Sequence, residues 1–145
     1  MLYLLRHGDA EDPDGDDAAR QLTAKGERQG RTAGRAVAAL GAKIDACLTS
    51  PKVRAVATAS LACEPLGLEP ELASELAGGA FDALSLAAGR GNVLLVGHEP
   101  DFSDEVARLT GAKVRLRKGG LAMIDGSTLV ALLGPRELRA IADRS

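Results

Sequence analysis

An apolar run, Met1 to Leu5, opens the chain and stops at Arg6-His7-Gly8-Asp9. A run this short, bounded by a glycine and acids, predicts a buried strand. Asn92 to Gly97 repeats the arrangement and ends in His98-Glu99. Ile44 to Thr49 predicts a further strand, and a short one is expected at Glu71 to Ala73. Helices alternate with these. One is expected from Ala24 to Leu40, with Thr23 as its N-cap and Gly41 as its left-handed stop. Gly26, Gly30 and Gly34 recur along one side of it, a spacing that either permits close approach to a neighbour or reflects the chain's bias toward small residues. The next is expected from Pro51 to Cys63, capped by Ser50 with Pro51 at the first helical position. Others are expected from Phe81 to Ala88, from Pro100 to Leu109 and after Pro135. Lys113 to Arg117 alternates strictly and predicts an edge strand with its cations outward. Leu121 to Ile124 and Thr128 to Leu133 flank Asp125-Gly126 as a hairpin. The order is αβ alternation followed by a meander, which predicts a single three-layer α/β domain over 1–145 with a mostly parallel mixed sheet flanked by helices.

A chain of 145 residues is long enough for one core, and 46% of it is apolar, so a globular fold is expected. Aromatic residues are scarce, with one Tyr, two Phe and no Trp, which argues against a stacking platform for single-stranded nucleic acid. No apolar run is long enough for a membrane span and no leader is recognised, so a cytoplasmic protein is expected, with neither nucleic acid nor membrane as partner. Cys47 and Cys63 are too few for a disulfide framework and lack metal spacing, and both are expected as buried thiols.

Charge is unevenly spread. The net value is −2, but Asp9 to Asp17 holds six acids and no Lys or Arg, leaving the remainder net basic. That acidic run reads as a solvated loop, although its place beside His7 leaves a gating or partner-selecting role open.

The only two histidines, His7 and His98, both stand at strand exits. In open α/β sheets, ligands bind outside the carboxyl ends of the strands. Arg6 shares one of those exits. Arg54 lies just over one turn into its helix, and helical side chains lean toward the N-terminus, so its guanidinium reaches the same region. Two arginines and two imidazoles around one space suit a phosphoryl group: guanidinium matches phosphate oxygens, and imidazole is able to attack phosphorus.

Arg6-His7-Gly8, Leu22-Thr23-x-x-Gly26, Ser50-Pro51-x-x-Arg54-Ala55 and Gly97-His98, in this order, resemble the histidine phosphatase superfamily. Short length and the Arg-His-Gly-Asp-Ala opening resemble its SixA-like phosphohistidine phosphatase branch. The resemblance implies a phosphoglycerate mutase-like fold, with His7 as the nucleophile that becomes phosphorylated. It also implies that Arg6, Arg54 and His98, with Gly8, bind the phosphoryl group. Larger members carry an acidic proton donor in the segment that here spans Glu69 to Gly79, and Glu75 is the candidate for it. The implied activity needs no cofactor and no metal, and the implied partner is a phosphohistidine-bearing protein or a small phosphorylated substrate.

Other readings draw on the same residues. A metal-dependent hydrolase would use His7, Asp9, His98, Glu99 and Asp101, legitimate ligands that show no recognised metal spacing. A small-molecule phosphomonoesterase would need the Glu75 acid. A non-catalytic phosphoprotein-binding module would need the arginines but not His7.

Overall fold

The computed structural model describes residues 1–144. A six-stranded sheet runs through its centre in the order β3-β2-β4-β1-β5-β6. β1 (Leu2–Arg6), β2 (Ala46–Thr49), β3 (Glu71–Leu72) and β4 (Val93–Gly97) are parallel, while β5 (Leu121–Asp125) and β6 (Thr128–Leu133) add an antiparallel hairpin beside β1. The expected mixed, mostly parallel sheet is therefore present.

Strand alternation sorts the core into two layers. Tyr3, Leu5, Cys47, Leu94 and Val96 pack against α1 (Ala24–Ala39), α2 (Val53–Cys63) and α5 (Pro135–Asp143). Leu2, Leu4, Leu48, Val93 and Leu95 face the other way, toward α3 (Ala83–Ala87), α4 (Asp101–Thr110) and Leu116. Leu4, Leu5, Leu94 and Leu95 are essentially inaccessible, each contributing roughly 1.5–3 kcal/mol of burial. Both cysteines are buried with free thiols, as expected.

Thr23 caps α1, its hydroxyl accepting the Gly26 N–H at 3.1 Å. The glycine stripe permits close approach rather than reflecting composition alone. A Cβ on Gly34 would lie 2.2 Å from the Ala62 carbonyl oxygen, so α1 and α2 touch backbone to backbone. Two elements differ from the sequence expectation. Lys113 to Arg117 forms no strand. Its alternation is real, since Leu116 is buried between exposed Arg115 and Arg117, but the Leu116 N–H goes to Glu99 and its carbonyl to Arg6, leaving neither for a ladder. α2 begins at Val53 with Lys52 as N-cap, so Ser50 does not cap it; the Ser50 hydroxyl is engaged elsewhere, as described below.

β1 and β4 are neighbours, yet α1 follows β1 onto one face and α4 follows β4 onto the other. The chain therefore diverges at their carboxyl ends and opens a crevice there.

Candidate active site

The register of β1 against β4 pairs Leu5 with Val96 and Arg6 with Gly97. One step further, His7 and His98 leave the sheet side by side, and the His7 N–H donates to the Gly97 carbonyl at 3.0 Å. Their ring centroids are 5.3 Å apart. Alternation along β1 sends His7 to the α2 side and Arg6 to the opposite side. Accordingly Arg54 of α2 reaches His7, while Arg6 Nη1 donates to the Leu116 carbonyl at 3.0 Å. His7, Arg54 and His98 thus lie together, and Arg6 leaves the same strand exit on the other face.

The turn after β1 has no room for side chains. A Cβ on Gly8 would lie 2.5 Å from the Gly26 carbonyl oxygen, and one on Gly26 would lie 1.9 Å from that of Asp9. Arg6-His7-Gly8 is thus seated on the first turn of α1. Gly8 donates its N–H to Thr58 Oγ1 at 3.0 Å, and its carbonyl lies 2.7 Å from His7 Nδ1. A carbonyl oxygen only accepts, so Nδ1 carries the ring proton and Nε2 keeps its lone pair. Arg54 Nε–H points at that lone pair from 3.3 Å. Gly8, expected among the substrate contacts, spends both of its backbone groups on this orientation.

His98 is held differently. Its Nε2 is 2.7 Å from Ser50 Oγ, which already accepts the Lys52 N–H at 3.2 Å. When Ser50 gives its hydroxyl proton to Nε2, the imidazole proton sits on Nδ1. Among the described residues, His98 Nδ1 and Arg6 Nε are buried polar atoms without a hydrogen-bond partner. Such atoms are costly unless a ligand or water meets them.

His7, Arg54 and His98 are each only 6% exposed; His7 is therefore more deeply set than a strand-end position suggests. Burial pushes the His7 imidazole down to about 4, with Arg54 and Arg6 adding to the effect against the Gly8 carbonyl. Burial, then His7 and Arg54, pushes His98 down to about 3. Both rings are neutral at pH 7. The positive charge of the site therefore resides on Arg54 and Arg6, the latter lowered from its ordinary value by burial.

The acidic segment is not simply a solvated loop at its far end. A 3-10 turn, Asp17–Ala19, is capped by the Asp16 side chain. It brings the Asp17 carbonyl to Arg54 Nη1 at 2.9 Å and Asp17 Oδ2 to Arg54 Nη2 at 3.3 Å and Lys52 Nζ at 3.4 Å. Hydrogen bonding to Arg20, with Arg54 and Lys52 nearby, holds the Asp17 carboxyl down at about 2. Glu75 lies in the short turn Ser74–Leu76 just beyond β3, at the same edge of the sheet, because Ala73 N–H continues the pairing to the Thr49 carbonyl. Its side chain is exposed and bonds Ser74 rather than any of the four grouped residues.

The sequence does not disclose the supporting roles of three residues. Thr58, one turn after Arg54 on the same face of α2, anchors Gly8, and the i, i+4 spacing was the available signal. Ser50 has the character of a helix cap, yet its hydroxyl holds His98 instead. Glu99 accepts N–H groups from Ser103 at 2.8 Å and Leu116 at 3.2 Å. It thereby fixes the backbone that receives Arg6. Nothing local in the sequence signals a partner 17 residues away. Among the described residues, no group of three or more His, Cys, Asp or Glu could hold a metal ion, and no helix is long and apolar enough to cross a membrane.

Residues 2–89 match the family model of the histidine phosphatase superfamily, branch 1, a span that includes Arg6, His7 and Arg54 but not His98. An uncharacterised protein of Picosynechococcus sp. is 36% identical over 134 residues, covering 83% of this chain and 81% of its own length. The structure of the protein histidine phosphatase SixA complexed with tungstate superposes with a TM-score of 0.81 at 26% identity, over 94% of this chain and 98% of that one. The alpha-ribazole phosphatase of Shigella flexneri shares the fold, with a TM-score of 0.74 at 20% identity over 92% and 96% of the two chains.

Proposed function

The chain belongs to the histidine phosphatase superfamily, and on that premise we propose that it is a metal-independent phosphatase acting through phosphohistidine on His7, its favoured substrate a phosphohistidine-bearing protein. The observation that carries this is the His7 ring: Nδ1 is committed to the Gly8 carbonyl and Nε2 presents its lone pair beside the Arg54 guanidinium. A neutral imidazole with a fixed tautomer is a competent nucleophile at pH 7.

In the first step His7 Nε2 attacks phosphorus. A P–N bond to His7 forms while the substrate's P–N bond breaks, and the departing imidazole takes a proton from solvent. Arg54 and Arg6 meet the charge spread over the phosphoryl oxygens, the work that dominates phosphoryl transfer. Arg6 Nε and His98 Nδ1–H, both without partners among the described residues, are donors that such oxygens would satisfy. In the second step water attacks phosphorus, the P–N bond to His7 breaks, and inorganic phosphate leaves with His7 neutral again. Tungstate in the SixA relative is likewise a tetrahedral oxyanion.

Phosphohistidine is favoured over an ester because Glu75 is exposed and bonded only to its neighbour Ser74. An alkoxide leaving group calls for a placed proton donor; transfer between two imidazoles is nearly balanced without one. A small-molecule phosphomonoesterase is the second reading, resting on the position of Glu75 at the same sheet edge. Turnover of a histidine-phosphorylated phosphotransfer domain, set against a panel of small phosphomonoesters, tests the choice. Faster kcat/KM on the esters would overturn it.

A further inference from the structure

Two adjoining clefts run away from Arg6 across the surface of α1, the 113–118 segment and α5. The first, about 550 Å³, is lined by Arg6, Lys25, Arg115, Arg117 and Lys118, with Gln29, and by no acid. The second, about 480 Å³, shares Lys25, Gln29 and Arg117 and continues to Arg28, Arg136 and Arg139, again without an acid. Lys25, Arg28, Arg115, Arg117, Arg136 and Arg139 are all exposed, and among the described residues none of them forms an ion pair. Of the cations lining the two clefts, Lys118 is bridged, to Asp9 at 3.4 Å.

This concentration runs against the balance of the chain, whose net charge is −2. Like charges gathered in one cleft repel one another and focus the field toward an oppositely charged visitor. The segment carrying them is also fixed. Leu116 is buried, its N–H held by Glu99, and Gly119 approaches α1 so closely that a Cβ there would lie 2.9 Å from that of Gln29. The Gly119 N–H donates to the His7 carbonyl at 3.0 Å and Arg6 N–H to that of Gly120, also at 3.0 Å. The part of the basic wall that the 113–118 segment carries is therefore tied to the backbone of Arg6 and His7.

We propose that these clefts dock an acidic segment of the protein substrate, placing its phosphohistidine over His7. The inference rests on the phosphohistidine reading above and deepens it. A small substrate with a second anionic group needs only the cations of the first cleft, whereas Arg136 and Arg139 line the second. A chain segment with several carboxylates spans both. Single-stranded nucleic acid fits less well, because neither cleft is lined by an aromatic side chain on which a base would stack.

The test uses two synthetic peptides that carry the same phosphohistidine, flanked by glutamates in one and by glutamines in the other. Wild-type kcat/KM should favour the glutamate peptide by about tenfold at low ionic strength, and the preference should shrink in high salt. Arg136→Glu with Arg139→Glu should abolish the preference while leaving turnover of the glutamine peptide unchanged; the Gln pair at the same positions should give an intermediate result, and circular dichroism checks that both variants fold. Equal turnover of the two peptides by the wild type, or a preference that survives in the charge-reversed variant, overturns the proposal without touching the His7 chemistry. Docking is read separately by fluorescence anisotropy of a dye-labelled glutamate peptide without the phosphoryl group. Binding to the wild type but not to the variant, with neither phosphopeptide hydrolysed, would sustain the docking surface and overturn the phosphohistidine reading. Tighter binding of an oligothymidylate of equal charge would overturn the acidic-protein partner in favour of nucleic acid.

Discussion

Arg54 Nε lies 3.3 Å from His7 Nε2, so the guanidinium rests against the atom that is proposed to attack phosphorus. The contact lies on the buried side of α2 and fixes where the cation stands relative to any phosphoryl group on His7. Arg54→Lys keeps the charge but has neither the Nε–H nor the planar fork. The expected loss in kcat/KM is about 10²–10³, the usual cost of one preorganised donor. A wild-type rate would mean that this guanidinium does not serve the reaction.

A covalent intermediate on His7 should be trapped by rapid quench with labelled substrate, as phosphate that is stable in base and labile in acid. Because His7 is buried, His7→Gln is the better control than a truncation, since it leaves a smaller cavity. The variant should carry no label and show no turnover. Label retained on it would move the nucleophile elsewhere.

Acid should destabilise the protein earlier than its carboxylates alone require. The ordinary histidine value is 6.5, and His7 and His98 are pushed down to about 4 and about 3, chiefly by burial. From pH 6.5 down to about 4 for His7 and about 3 for His98, the unfolded chain binds protons that the folded one does not, so stability falls as pH drops through that window and is unaffected by these groups above it. Melting temperatures at pH 7.5 and pH 4.5 should differ, and His98→Gln, which does not titrate, should flatten the dependence. Identical melting of the wild type at both values would contradict the buried neutral rings.

Asp17 competes with any anion for Arg54 and Lys52. Its side chain is half exposed, so solvent screening keeps the competition modest. Asp17→Asn should therefore tighten inhibition by inorganic phosphate no more than a few-fold. Unchanged or weaker inhibition would show that the carboxylate helps to arrange Arg54 instead of opposing the ligand.

Glu75→Gln should barely alter turnover of a phosphohistidine substrate. General acid catalysis typically contributes about 10²–10⁴, so a loss of tenfold or more on a phosphomonoester, with a flattened alkaline limb, would mark Glu75 as the acid of an esterase. A large loss on the phosphohistidine substrate would count against the proposed mechanism.

The strand exits were legible because apolar runs ending in charge are a local signal. From them the meeting of Arg6, His7, Arg54 and His98 followed once a parallel sheet was assumed. Thr23 and the Ala24–Ala39 helix were legible for the same reason, since caps and periodicity are written within a few residues. The attachment of Arg6 was not legible. It depends on Glu99 holding Leu116, whose backbone then accepts Arg6 across 110 positions of sequence. Lys113 to Arg117 misled for a related reason: period-two alternation reports which side is buried, and says nothing about whether another strand is free to pair. Asp17 was hidden because an acid-rich stretch looks the same whether solvated or pinned to a cation.

The clamp that Gly119 and Gly120 place on Arg6 and His7 also sets an order of events for a folding chain. Residues at the carboxyl end of β1 wait for a loop more than a hundred positions later, and closing so long a separation costs chain entropy before any contact repays it. A nascent chain ending before Leu116 would already contain both histidines and Arg54, yet would lack the carbonyl that accepts Arg6 Nη1 and the backbone that pairs with Arg6. Phosphoryl-transfer competence is thus acquired late, and it reports that the final hairpin has docked.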